Sequence, residues 1–248
     1  MIHTTKTTWN GYRRLDFTFM EHSAILILPN NAREDGKWLL KTEYFGAFPS
    51  FELAMLERGY HVAHVQNTTR WRLPEDTERQ AAFCEFLHTE FGLAKACMTV
   101  GMSCGGMQAV YLAAKYPHLV SLLYLDAPVL NLLSCPCNVG RGEGGNMYEE
   151  FVRATGRTVS SLINDRNHPI DHADALILHK LPLALICGEK DTVVPYYENG
   201  ALLAEKYRAS GLPYLEILKP ECDHHPHGID DLTPRLAFAE QYYGNKES

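Results

Sequence analysis

The chain has 248 residues, 46% of them hydrophobic and 21% charged, which suits one sizeable core and a single domain over residues 1–248. A net charge of -7 with no cluster of Lys or Arg argues against a nucleic-acid partner. No apolar run nears membrane-spanning length, and Met1-Ile2-His3-Thr4-Thr5-Lys6 lacks the apolar stretch of an export signal; the expectations are no membrane partner and seven reduced cysteines in the cytoplasm.

Residues 4–20 read as two β-strands hinged at Asn10-Gly11, a favoured hairpin pair. Residues 23–28, SAILIL, form a short continuous apolar run and predict a buried strand, ended by Pro29-Asn30-Asn31. A helical stretch follows, with Pro49 opening a segment that Gly59 closes. Residues 60–65 predict a strand, and residues 74–91 an amphipathic helix with acidic residues in its first turn and Gly92 after it. Strands are expected at 97–102, 120–125, 183–187 and 214–218, and helices at 104–116, 196–210 and 233–243. This alternation predicts an α/β fold, a mostly parallel sheet with helices on both faces. One connection breaks the rhythm. The segment around 131–180, which includes Gly140, Gly142, Gly144 and Gly145, is too long for an ordinary loop and reads as a small cap over the sheet's carboxyl edge.

Gly101-Met102-Ser103-Cys104-Gly105 is a G-x-S-x-G element between an apolar run and a helical run. Small residues on both sides allow a sharp strand-to-helix turn that projects the serine hydroxyl from the sheet. A hydroxyl is a weak nucleophile until a base takes its proton, so an acid and a histidine are expected downstream, in that order. Asp191 follows the strand at 183–187 and precedes Val194-Pro195, which suits the acid; Glu189 and Asp126 compete for the role. The base is expected after the last strand, in Asp223-His224-His225-Pro226-His227. His224 comes first, and His225 and His227 are the alternatives. Such a cluster also suggests a metal, but Pro226 breaks helical spacing and no second ligand group has obvious spacing, so no metal and no cofactor are expected. Cys104 reads as the residue after the nucleophile, contributing its backbone N–H to an oxyanion hole. The second N–H is assigned to Asn30 or Asn31, in the loop after the run at 23–28. Trp38 and Met102 are candidate pocket residues.

The elbow serine, Asp191 and His224, in that order, resemble the α/β-hydrolase superfamily. The stretches Lys37-Trp38-Leu39-Leu40-Lys41-Thr42-Glu43-Tyr44-Phe45-Gly46, GMSCGG, Asp126-Ala127-Pro128-Val129 and HHPH resemble a group of bacterial serine hydrolases. The resemblance implies the α/β-hydrolase fold, a serine mechanism and small-molecule ester substrates, and it supports His224 as base. One departure is Asp223, which stands where a glycine commonly precedes that histidine. The expected activity is cleavage of a carboxylic ester with a small or medium acyl group, through an acyl-enzyme. Amide or C–C bond hydrolysis on the same residues is the second reading, and a non-catalytic binding protein the third.

Overall fold

A computed structural model describes residues 3–143 and 145–244. Gly144 and the first two residues of the N-terminal stretch, Met1 and Ile2, lie outside the described residues. The chain begins with β1 (Thr5–Trp9) and β2 (Tyr12–Phe19), joined by Asn10-Gly11, both at positive φ. It continues through β3 (His22–Leu28), β4 (Trp38–Lys41), α1 (Ser50–Glu57), β5 (His61–Val65), α2 (Pro74–Phe91), β6 (Cys97–Met102), α3 (Cys104–Lys115) and β7 (Val120–Asp126). After a long connection carrying α4 (Met147–Thr155), α5 (Val159–Leu162) and α6 (Ala173–Leu178) come β8 (Leu183–Gly188), α7 (Gly200–Ser210), β9 (Tyr214–Lys219) and α8 (Thr233–Ala239).

The strands form one nine-stranded sheet in the order β1-β2-β3-β5-β4-β6-β7-β8-β9. The first pairings, through β3 with β5, are antiparallel; every pairing from β5 onward is parallel. The chain therefore has an α/β-hydrolase fold, with helices on both faces of a mixed sheet. Strand side chains alternate between two cores. Leu26, Leu40, Leu123 and Leu185 pack with α2, α3, α6 and α7, whereas Ile27, Leu39, Leu122 and Ile186 pack with α1 and α8. Both faces are covered, which explains why β5, β6 and β8 are buried at every residue.

Two features of this sheet depart from the sequence reading. Trp38–Lys41 is a four-residue strand, not part of a helical stretch. The segment expected to cap the sheet divides: Ala173 and Leu176 of α6 join the core beneath α3 and α7. The part over the carboxyl edge forms a third cluster, in which Leu132, Cys135, Phe151 and Leu162 pack on Cys104, Met107 and Tyr111 of α3. No helix among the described residues is long and apolar enough to cross a membrane, and the seven cysteines are unpaired.

Candidate active site

β6 delivers Ser103 into a backbone conformation of φ 52°, ψ -120°, which costs a non-glycine residue about 1–3 kcal/mol. The surroundings hold it there. Ser103 N–H donates to Asp126 O at 2.8 Å, and its carbonyl accepts from Gly106 and Val129, each at 3.0 Å. The flanking glycines are required by space: a β-carbon on Gly101 would lie 2.5 Å from Gly105 O, and one on Gly106 would collide with Pro128.

Asp191 and His224, the candidate acid and base, arrive on neighbouring loops after β8 and β9. His224 Nδ1 lies 2.7 Å from Asp191 Oδ2, and His224 Nε2 lies 3.2 Å from Ser103 Oγ. Asp191 Oδ1 accepts the N–H groups of Val193 (2.9 Å) and Val194 (2.7 Å), so both carboxylate oxygens are engaged. A carboxylate only accepts, so Nδ1 carries the proton and Nε2 presents its lone pair to the serine. Asp223, in place of the common glycine, binds the two loops together. Its Oδ1 accepts the Thr192 N–H at 2.7 Å, the Thr192 hydroxyl at 2.9 Å and the His224 N–H at 2.7 Å. The Thr192 N–H bond, first among these, holds the Asp223 carboxyl below its usual range.

Asp126, the competing acid, serves a different histidine. It ends β7, and its Oδ1 lies 2.8 Å from His227 Nδ1 while Oδ2 accepts the Gly228 N–H at 2.6 Å. A second Asp–His pair thus stands against the first, with the His224 and His227 rings 4.8 Å apart. His225 is exposed and stacks on Phe48.

Cys104 is the first residue of α3, where helical N–H groups lack intrahelical partners. Its thiol is buried, and burial pushes its pKa up to about 11, so it is not a competing nucleophile. Asn30 and Asn31 are corrected. β3 runs antiparallel to β5, so its carboxyl end meets the start of β5, at the sheet edge opposite Ser103. There Arg33 N–H donates to Gly59 O, and Asn31 O lies against Gly59. Neither asparagine reaches the site.

The strand beside β6 is β4, and the loop after it runs beside the start of α3. Thr42 Oγ1 donates to Gly105 O at 2.7 Å, fixing this loop on the first turn of α3. Tyr44, at φ 54°, lines the same cleft as Ser103. Burial pushes the Tyr44 phenol pKa far up, so it remains a hydrogen-bond donor. Sequence reasoning missed Tyr44 because it missed β4; the signal available was the apolar Trp38-Leu39-Leu40 run. Trp38 is also corrected. It sits at the amino end of β4, fully buried, with its indole N–H donating to Ala94 O at 2.8 Å, and it lines no cleft at Ser103.

The cleft over Ser103 has a volume of about 280 Å³. Tyr44, Phe48, Met102, Met147 and Val193 give it apolar walls, and Arg70 adds a cation already paired with Glu150. Met102 is the one sequence-predicted pocket residue that reaches it.

An elbow serine at the carboxyl edge of a mostly parallel sheet, facing a histidine backed by a buried carboxylate, is the arrangement of a serine hydrolase. The match of residues 71–246 to the prolyl oligopeptidase family (Peptidase_S9) then places the chain: it belongs to that family. No curated protein matches the sequence. Many solved structures share the fold, three of which serve as examples. A puromycin-hydrolyzing peptidase of Mycobacterium tuberculosis is 16% identical, with a TM-score of 0.70 and coverage of 99% of this chain and 40% of that one. The acylaminoacyl peptidase of Pyrococcus horikoshii is 14% identical, with a TM-score of 0.70 and coverage of 100% and 43%. A putative dipeptidyl aminopeptidase IV from Bacteroides ovatus is 18% identical, with a TM-score of 0.65 and coverage of 100% and 36%. This chain thus spans well under half the length of these structures.

Proposed function

We propose that this serine hydrolase cleaves amide bonds of small peptide-like or acyl-amine substrates, with Ser103 as nucleophile, His224 as base and Asp191 as its orienting acid. The observation that carries the proposal is His224 joined at one ring nitrogen to Asp191 and at the other to Ser103, at 2.7 and 3.2 Å. Ser103 Oγ attacks the carbonyl while His224 Nε2 takes its proton; the oxyanion is held by the Cys104 N–H and the Tyr44 hydroxyl. Both Tyr44 donors have contacts of their own, the backbone N–H with Glu43 Oε1 at 3.3 Å and the phenol with the Cys104 thiol and Arg70; the phenol is assigned the role because its side chain lines the cleft with Ser103. His224 then returns the proton to the leaving amine, and water releases the acyl group by the same route.

Membership of a peptidase family, and two structural neighbours titled as an acylaminoacyl peptidase and a puromycin-hydrolyzing peptidase, support amide over ester as the bond cleaved. An activated ester is an easier target of the same chemistry and serves as a reporter. The cleft of about 280 Å³ favours a small group on the acyl side. Seven free thiols suit a reducing cytoplasm.

The test uses aminoacyl p-nitroanilides and p-nitrophenyl acetate beside a fluorophosphonate label, on wild type and Ser103→Ala. Wild type should hydrolyse both substrates and take the label, and the variant should do neither. Equal hydrolysis and labelling by both proteins would sink the serine mechanism; ester turnover with no amide turnover would return the assignment to an esterase.

A further inference from the structure

We propose that His224, His225 and His227 form a binding site for a divalent transition ion, Zn2+ above all, and that filling it switches the hydrolase off. The second half of this statement rests on the function proposed above; the first half does not.

One ligand nitrogen from each of the three rings lies within 4.8 Å of the other two. The rings stand nearly edge to face around a common point, with centroids 4.8–5.0 Å apart and interplanar angles of 67–87°. Zinc–imidazole bonds of about 2.0–2.1 Å in tetrahedral geometry put ligand nitrogens ~3.4 Å apart, so the widest gap must close by ~1.4 Å. His225 is the exposed ring of the three, stacked on Phe48, and is the one that has to shift.

The stronger argument lies behind the rings. His224 Nδ1 bonds Asp191 at 2.7 Å, and His227 Nδ1 bonds Asp126 at 2.8 Å. With Nδ1 donating in each case, both rings have a lone pair on Nε2. A carboxylate behind an imidazole is the standard outer support of a zinc-bound histidine: it fixes the tautomer, aims the ring and raises its basicity. Here that support occurs twice, on two buried histidines three residues apart. Imidazole ligands select zinc, copper and nickel over magnesium and calcium.

Occupancy has a defined consequence. A metal bound through His224 Nε2 takes the lone pair that must receive the Ser103 proton, so the serine loses its base. No bond is made or broken in the substrate, and removal of the metal restores the enzyme.

Equilibrium dialysis of the full chain against Zn2+, and titration with Co2+ followed by visible absorption, read the site without reference to activity. One ion per chain is expected, with the intense bands of four-coordinate Co2+. His225→Ala should lose this binding, and Asp126→Asn, which touches no metal, should weaken it roughly 10–100-fold. In parallel, Zn2+ should inhibit hydrolysis by wild type and a chelator should reverse it, while Mg2+ has no effect. Inhibition of His225→Ala, measured against its own metal-free rate, should require at least tenfold more Zn2+. Binding by wild type no different from His225→Ala, or inhibition that His225→Ala leaves unmoved, overturns the proposal. If wild type binds one ion yet hydrolyses nothing, the metal site stands and the proposed activity fails.

Discussion

Two carboxylates and two histidines at this site could be paired in two ways, and the structure selects one. Asp191 holds His224, and Asp126 holds His227. Asp191→Asn should therefore lower kcat by ~10⁴-fold, because the amide no longer enforces the tautomer that leaves Nε2 free. Asp126→Asn, assayed without metal, should cost far less; the reverse ranking would exchange the roles. Tyr44→Phe should lower kcat about 10²–10³-fold with KM little changed, since the lost donor acts on the oxyanion and not on the bound substrate. Little change in kcat would return the second donor to the Tyr44 backbone N–H. Asp223 has its own signature. Its carboxyl is held below its usual range, so the charged form is favoured by folding; this contribution is present above the unfolded carboxylate pKa and disappears as pH falls through the lower, folded value. Asp223→Ala should reduce kcat and remove the acid-side stability loss due to this group, which thermal denaturation across the acid range would reveal.

At the level of elements, much was readable from sequence, and the failures have one cause. The strands at 97–102, 120–125 and 214–218 and the long helix at 74–91 fall within a residue or two of the observed bounds because each has a single strong signal: a buried apolar run or a capped amphipathic period. The elbow was legible for a steric reason, since Gly101 and Gly106 stand where no side chain fits. Trp38–Lys41 escaped because four residues buried on both faces show no alternation, and Lys41 ends an apolar run with a charge. That charge is paired in the interior with Glu52 of α1, a long-range partner no local pattern announces. With that strand unseen, the loop after it was not a candidate, and the oxyanion loop was assigned to Asn30 and Asn31 on the wrong edge. Among the three clustered histidines, order along the chain pointed to His224; only three-dimensional pairing shows what Asp126 does. Gly106→Ala tests the element argument directly. Its new methyl meets Pro128 in a packed turn, so a loss of about 1–3 kcal/mol is expected from denaturant unfolding.

Across the whole molecule, Lys41 and Glu52 join the sheet to α1 with side chains 1% and 5% exposed. Glu52→Gln leaves an ammonium buried without its counter-charge and should cost about 3–5 kcal/mol, seen as a lower urea midpoint with an unchanged slope. The roof of the cleft is fastened by a different balance. α4 carries Met147 over Ser103 and is tied to the body twice, by the Arg70–Glu150 pair and by Phe151, which lies edge-on to Trp71. The ion pair is 31% and 40% exposed and is worth under ~1 kcal/mol, less in salt. Phe151, at 1% exposure, contributes about 1.5–3 kcal/mol by burial alone. The entrance is consequently insulated from the ionic composition of its surroundings. KM for an uncharged substrate should hold nearly constant from dilute buffer to molar sodium chloride, whereas trimming that one benzyl group to a methyl should raise it at every salt concentration.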